Sequence, residues 1–186
     1  MSQRGHPARK SLLMFRKWKS LSVRSEVMAE EKVTPLQPRQ FFTGTWKGEG
    51  ELSPHPLLRW LIPKQRVRFS SRSIWLSETV WVVKERFEFS SRNAIARTMF
   101  VEIAGPDRLH VTADDMPLGG DIILHEKGFR FTPYYLWSHY RGRRWRLRCT
   151  DENSIDENGA IHDTIRMSYF GLPVATMRLT VVRVKA

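Results

Sequence analysis

Apolar and polar residues alternate from about Phe41 to the C-terminus, and this alternation restricts the fold more than any other feature of the chain. A period of two places successive side chains on opposite faces of an extended strand. Turn signals such as Gly105-Pro106-Asp107 and Gly171-Leu172-Pro173 divide the alternation at short intervals. We expect a tight hairpin at Asn158-Gly159, because this pair tolerates the positive φ angles that a type I′ turn needs.

No long window of helical periodicity follows residue 40, so we predict an all-β domain over residues 41–186. The predicted architecture is a single antiparallel meander barrel of about eight to ten strands. Closing the meander removes its exposed edges, and a barrel of this size can hold a small apolar ligand. A β-sandwich is the alternative. The 7 Trp, 10 Phe and 4 Tyr residues supply bulky side chains to fill a barrel or line a pocket.

Residues 1–40 differ from this domain in composition, and we predict that they form a disordered basic leader and a linker. Residues 1–27 hold seven basic residues and one acid, so they contribute +6 of the net charge of +12. The segment Thr34-Pro35-Leu36-Gln37-Pro38 is expected to be the linker, because two close prolines disfavour regular structure. Met28 resembles an ordinary start. Residues 1–27 are therefore an upstream extension from a misassigned start codon, a disordered tail or a targeting peptide, and the sequence leaves these open.

Several classes of protein are disfavoured by what the sequence lacks. Cys149 is the only cysteine, so an intramolecular disulfide and a cysteine-based zinc site are excluded. The six histidines form no metal-binding motif, and we predict no metal site. No run of 18 apolar residues is present, so no membrane-spanning helix is expected. The predicted protein is cytoplasmic, and a monomer or a homodimer.

The ends of the predicted domain resemble the calycin superfamily of lipocalins and fatty-acid-binding proteins. Gly44-Thr45-Trp46 lies on the first predicted strand, and Arg178 and Arg183 lie on the last. In calycins the tryptophan plugs one end of the barrel and a late arginine packs against it. The resemblance therefore implies that Gly44, Trp46 and Arg178 close the barrel, with Arg183 as the other candidate arginine.

Longer motifs resemble two narrower families. The run Gly44-Thr45-Trp46-Lys47-Gly48-Glu49-Gly50-Glu51 is similar to the opening of nitrobindins, which are ten-stranded haem-binding barrels. Residues 112–116 and 158–174 are similar to a bacterial lipocalin-like family numbered 3833 among the domains of unknown function, and the resemblance covers about residues 41–184. Haem binding of the nitrobindin type needs a histidine near the C-terminal strands. The last histidine here is His162, just after the Asn158-Gly159 turn, and none lies on the final predicted strand. We therefore predict no cofactor.

The segment Arg141–Arg148 is the most basic part of the predicted domain. Alternation places three of its arginines on one face of a strand: Arg144, Arg146 and Arg148. Facing outward, they would be solvated or would bind single-stranded nucleic acid through its phosphates, with bases stacking on nearby aromatic rings. Facing inward, they would hold a carboxylate or phosphate head group. The sequence leaves these three interpretations open.

Carboxylates supply two further candidates. Asp114-Asp115 is a pair that could serve acid–base chemistry or bind a cation, but neighbours on a strand point to opposite faces, which favours a turn or capping role. Glu85 shares its predicted face with Trp81 and Phe87. A carboxylate inside a barrel needs a partner, and an inward arginine would make it a polar anchor in an apolar pocket. Exposure at a strand end is the alternative.

We therefore predict a non-enzymatic protein that binds a small hydrophobic or amphipathic, anionic ligand inside the barrel. Burial of apolar surface would supply the affinity and buried arginines the specificity. The predicted ligand-binding residues are Trp46, Trp81, Glu85, Tyr135, Trp137, Arg148 and Arg183. One alternative is a barrel enzyme acting on a hydrophobic substrate, with Asp114 or Asp115 and a nearby histidine as acid and base. The other is a protein that binds single-stranded nucleic acid through the arginine-rich strand.

Overall fold

The computed structural model describes residues 36–140 and 142–184, and these residues form a closed antiparallel barrel. Each strand pairs with the next, and the last pairs with the first. A short helix, α1 (Pro38–Phe42), precedes the first strand, and a 3₁₀ turn, Pro56–Leu58, follows it. The strands are β1 (Gly44–Pro54), β2 (Gln65–Trp75), β3 (Val80–Phe89), β4 (Ala94–Ile103), β5 (Arg108–Ala113), β6 (Met116–His125), β7 (Gly128–Tyr140), β8 (Arg143–Ile155), β9 (Ile161–Tyr169) and β10 (Leu172–Arg183).

The all-β meander barrel predicted from the alternation is confirmed, and its ten strands fall within the predicted number. The sandwich alternative is wrong, because all ten strands belong to one closed sheet. Residues 1–35, which make up most of the predicted leader, lie outside the described residues. In the part of the chain that the structure describes, no helix is long and apolar enough to cross a membrane.

Side chains at every second position of a strand point into the barrel, and the strand register decides which of them meet. On β8 the buried positions are Leu147, Cys149, Asp151 and Asn153. Residues directly opposite each other on neighbouring strands share a face. Asp151 lies opposite Phe131 on β7 and Ile165 on β9, and all three point inward. The register therefore gathers polar and aromatic side chains at one level of the interior.

One end of the barrel is covered by α1, where the sequence predicts only a linker. That part of the linker prediction is wrong, because Pro38 stands in the first turn of the helix. A proline is favoured there, since its missing N–H would have no partner in the helix. Phe41 and Phe42 of α1 pack against the core, and Phe41 lies 5.3 Å from Trp46 between ring centroids. The helix thus adds two aromatic rings to the covered end.

The arginine that closes this end is Arg183, and the assignment of that role to Arg178 is wrong. Arg183 lies opposite Trp46 in the β1–β10 register, and its guanidinium stands 4.8 Å from the Trp46 ring centroid. It also donates hydrogen bonds to the carbonyl oxygens of Gln40 and Phe41. Arg178 lies opposite Glu51 and is exposed on the outer face. The strand register puts the two arginines on different faces, and Arg183 is the one that hydrogen-bonds to α1 at the end of the barrel.

The predicted hairpin between β8 and β9 is present, but it is wider than a two-residue type I′ turn. Asp156 Oδ1 accepts hydrogen bonds from the backbone N–H groups of Asn158 and Ala160, both at 2.9 Å. Gly159 has a φ of 77°, whereas Asn158 is not in the left-handed region. The aspartate side chain therefore holds this loop, and only the glycine needs a positive φ.

Candidate functional site

The barrel encloses a cavity of about 110 Å³ beside α1. Aromatic side chains form its wall at this end, namely Phe42, Trp46, Trp81 and Phe129. Trp46 and Trp81 are only 6% and 1% exposed, and Phe42 stacks on Trp81 with ring centroids 5.9 Å apart. An apolar cavity of about 150 Å³ binds benzene in another protein, so a single small ring is the upper limit for this smaller space. A long acyl chain would not fit without rearrangement.

A buried ion pair lies in the cavity wall. Glu85 on β3 is opposite Arg97 on β4, and Arg97 Nε donates a hydrogen bond to Glu85 Oε2 at 2.7 Å. Each of the two side chains is 11% exposed. The Arg97 guanidinium also lies 5.8 Å from the Phe87 ring centroid. Glu85 therefore points inward and pairs with an inward arginine, which is one of the two placements that the sequence left open.

Two aspartates and an asparagine line the same cavity from β8 and β9. Asp151 and Asn153 are 4% and 7% exposed, and Asn153 Nδ2 donates to Asp151 Oδ1 at 2.5 Å. Asp163 lies opposite Asn153 in the register, and its side chain is hydrogen-bonded to Asp151. The Oδ1 atom of Asp163 is buried and has no hydrogen-bond partner. We call Asp151 and Asp163 the carboxylate pair.

The carboxylate pair holds a proton more tightly than exposed aspartates do. Burial raises the pKa of Asp151 to about 6, although hydrogen bonds from Asp163 and Asn153 act in the opposite direction. Burial and then the nearby Asp151 charge raise the pKa of Asp163 well above its ordinary value. Burial raises the pKa of both members, and the hydrogen bond between them means that the pair shares a proton.

Cys149, Tyr134 and Arg97 of the interior keep their ordinary charge states at neutral pH. Burial raises the pKa of the Cys149 thiol to about 12 and that of the Tyr134 hydroxyl well above its usual value, so both are neutral. Burial lowers the pKa of Arg97, but the attraction of Glu85 and Asp115 and the hydrogen bond to Glu85 act in the opposite direction, and the pKa is raised overall. Arg97 is therefore a permanent cation in the wall.

Three of the predicted ligand-binding residues, Trp46, Trp81 and Glu85, line the cavity. Tyr135 and Trp137 do not line it, and that placement by the sequence is wrong. A register shift in β7 between Phe131 and Tyr134 changes the alternation, so that Tyr134 rather than Tyr135 points inward. Bulges of this kind are a common place for proline in a strand, and Pro133 lies within the shift.

The arginine-rich strand presents its charges to the outside. Arg144, Arg146 and Arg148 are exposed, so the inward interpretation and the predicted cavity role of Arg148 are wrong. The Arg146 guanidinium lies 4.1 Å from the Tyr135 ring centroid, and that of Arg144 lies 4.1 Å from the Trp137 ring centroid. Arg183 is likewise outside the lining, above Trp46. These arginines therefore do not support the predicted binding of an anionic ligand in the cavity.

The neighbouring carboxylates Asp114 and Asp115 lie in the turn between β5 and β6 and differ in burial. Asp114 is exposed, whereas Asp115 is partly buried and its Oδ1 atom is buried without a partner. No histidine of the described segments lines the cavity, so the acid–base pair that the enzyme alternative requires is not assembled there. Among the described residues, no group of three His, Cys, Asp or Glu side chains could hold a metal ion.

Sequence reasoning missed the carboxylate pair, Asn153 and Arg97. A signal for two of them exists, because Asp151 and Asn153 lie two and four residues after Cys149, which alternation places inside. An inner face is recognised by apolar residues at alternate positions, and polar residues at inward positions interrupt that pattern. The grouping of these residues around one cavity becomes visible only when β8 and β9 are placed across the barrel from β3 and β4.

Lowering the pH from 7.5 to 5 is expected to stabilise the fold. The pKa of Asp151 is about 6 in the folded state against 3.8 as its reference value, so the folded state binds more protons between these values. The contribution of Asp151 to stability is therefore greatest at low pH and falls as the pH rises through about 6. A shift of this size is worth about 3 kcal/mol over the whole range from below 3.8 to above 6, of which about 1.4 kcal/mol falls between pH 5 and 7.5.

Urea unfolding at pH 5 and 7.5 measures this difference. The D163N variant keeps a donor toward Asp151 and removes a buried acid, so it should be more stable than the wild type at pH 7.5 and less sensitive to pH. D107N, at an exposed aspartate, should keep the wild-type pH dependence. Equal pH dependence in D163N and the wild type would show that the carboxylate pair does not cause it.

No protein-family model matches the chain, and no curated protein matches its sequence at a significant level. Among solved structures, the S-type phycobiliprotein lyase CPES from Guillardia theta is similar in fold, with a TM-score of 0.55 and 11% identity, over 81% of this chain and 94% of that one. Rv2717c from M. tuberculosis has a TM-score of 0.49 and 9% identity, over 81% of this chain and 99% of that one. The first likeness supports the barrel fold and nothing finer. The resemblances to nitrobindins and to the bacterial lipocalin-like family stay predictions.

Proposed function

We propose that the barrel binds a small, mainly apolar ligand in the cavity beside α1 and leaves it chemically unchanged. The observation that carries this proposal is a cavity of about 110 Å³ with aromatic walls and polar groups that lack partners. Trp81 Nε1 and Asp163 Oδ1 are buried without a hydrogen-bond partner, and both residues line the cavity. Native proteins pair nearly all such groups, so a ligand that meets one or both of them would complete the interior.

The carboxylate pair supports the same proposal through its energetic effect. Raised carboxyl pKa values mean that the buried acids destabilise the folded state at neutral pH. Perturbed groups that face a cavity are typical of functional sites, where stability is given up for binding or catalysis. An apolar core would be more stable here, so these residues are best explained by something that they bind.

The two alternatives have less support in the geometry. An enzyme that used covalent catalysis would need an activated nucleophile, but Cys149 and Tyr134 are neutral, and their pKa values are raised by burial. For nucleic acid, the outward arginines fit the phosphates. However, the rings of Tyr135 and Trp137 are already covered by the guanidinium groups of Arg146 and Arg144. A base would have to displace these groups before it could stack.

Benzyl alcohol is expected to bind the wild-type protein and to change the fluorescence of Trp46 and Trp81, with a dissociation constant of about 1 mM or tighter for a ligand of this size. The W60F background removes signal from Trp60, which is 81% exposed. In that background S71L should block binding, because Ser71 lines the cavity and a leucine would fill it. Native mass spectrometry of the purified protein would detect a ligand retained from the expression host.

S70L is the matched control, since Ser70 lies opposite Lys47 and Arg86 on the outer face. It should bind benzyl alcohol as the wild type does. No fluorescence change up to the solubility limit of the probe, or equal binding by S71L and S70L, would overturn the proposed function.

A further inference from the structure

The interior of the barrel has more acidic groups than basic partners for them. Four carboxyl side chains contribute to it: Glu85, Asp115, Asp151 and Asp163. Arg97 is the cation among the lining residues, and its closest partner is Glu85 at 2.7 Å. Asn153 supplies a single donor to Asp151. The two members of the carboxylate pair therefore share a proton, in a position that a cation could occupy instead.

This excess holds when every element around the pair is considered. Strands β1, β2, β6 and β10 contribute apolar or hydroxyl side chains to the lining, such as Trp46, Ser71, Ser73, Ile122 and Val181. The titratable groups come from the other elements: Glu85 on β3, Arg97 on β4, Asp115 in the turn before β6, Tyr134 on β7, Cys149 and Asp151 on β8, and Asp163 on β9. Since Tyr134 and Cys149 are neutral, the local field is negative.

The rest of the wall also suits a cation. Cations are attracted to the faces of aromatic rings, most strongly to tryptophan, and ammonium groups are recognised where several such rings surround them. Two tryptophans and five phenylalanines line the same cavity as the carboxyl groups. An anion placed here would face the carboxylate pair without a free guanidinium, because Arg97 already serves Glu85. A neutral ligand would leave the buried acids with their proton.

We propose that the ligand carries a basic nitrogen, which Asp151 and Asp163 hold as an ammonium group while its apolar part packs against Trp46, Trp81 and Phe42. This inference rests on the proposed function and names the class of ligand for the same cavity. The ammonium donates hydrogen bonds to both carboxylates and takes the place of the shared proton, which passes to solvent. Asp163 Oδ1 then gains the donor that it lacks. At neutral pH binding is therefore coupled to the release of about one proton.

Three probes of one shape test the class of ligand: benzylamine, benzyl alcohol and benzoate. In calorimetry at pH 7.5 we expect benzylamine to bind about tenfold or more tightly than benzyl alcohol, because charge-assisted hydrogen bonds replace neutral ones. Benzoate should bind most weakly. Titrations of benzylamine in Tris and in phosphate, whose ionisation heats differ, should reveal the released proton.

D151N and D163N should each reduce the preference for benzylamine over benzyl alcohol to less than about threefold, which a loss of one charged hydrogen bond explains. R146Q, on the outer face, should keep the wild-type preference. Failure of all three probes to bind would overturn the proposed function and this inference with it. Binding of benzyl alcohol with no preference for benzylamine would overturn the inference alone. An unchanged preference in both aspartate variants would overturn the role given to the carboxylate pair.

Discussion

Replacing Arg97 with methionine is expected to destabilise the barrel by about 3–5 kcal/mol, because it removes one partner of a buried ion pair. Glu85 would keep its place in an interior that already holds the carboxylate pair, with no cation at 2.7 Å to balance it. Urea unfolding at pH 7.5 measures the loss. The effect should be smaller at pH 5, where proton uptake relieves the repulsion among the acids.

The double variant E85M/R97M separates the loss of the pair from the loss of one partner. Replacing both charges with apolar side chains of similar size is often neutral or stabilising, so the double variant should recover most of the stability that R97M loses. R146M removes an exposed arginine and should change stability by less than about 0.5 kcal/mol. A double variant as unstable as R97M would contradict this account, as would a loss below about 1 kcal/mol in R97M.

Replacing Gly50 with alanine is expected to destabilise the barrel by about 3 kcal/mol or more, because the added methyl group has no space. A Cβ atom at Gly50 would lie 1.9 Å from the carbonyl oxygen of Arg178 and 2.8 Å from Leu179 Cα. Both are backbone atoms of β10, so the two strands would have to separate where the barrel closes. The free energy of unfolding from urea titration measures the effect.

Gly105→Ala is the matched control for this substitution. The nearest atom to a Cβ at Gly105 is Arg108 Cβ at 3.8 Å, an ordinary contact, and Gly105 does not need a positive φ. G105A should therefore change stability by less than about 0.5 kcal/mol. If G50A were as stable as G105A, the close approach of β1 and β10 would not be what restricts this position to glycine.

Local sequence pattern is enough to predict the barrel, because alternation and turn residues act over a few neighbours. Of the predicted ligand-binding residues, Trp46, Trp81 and Glu85 line the cavity. Alternation put Trp81 and Glu85 on one face and left open whether that face points inward. It fails on β7, where the register shift before Tyr134 exchanges the two faces. Pro133 marks the position of the shift, so regular alternation cannot be carried across that proline.

The carboxylate pair and the closing arginine could not be derived in this way. Asp151 and Asp163 lie on adjacent strands, and their meaning depends on Glu85 and Arg97 across the interior. The choice of Arg183 over Arg178 depends on its pairing with Trp46 across the first and last strands. Both are consequences of barrel closure, which joins residues far apart in the chain and leaves little trace in local composition.

That closure also governs the order in which the molecule can assemble. Strands β2 to β9 can pair with their predecessors as each leaves the ribosome, but one side of β1 finds its partner only when residues 172–183 have been made. Until then the inner face of the unfinished sheet stays open to water and to other chains. Pairings this distant in sequence slow folding. The synthesis of β10 therefore sets the earliest time at which the barrel can close and bury its inner face.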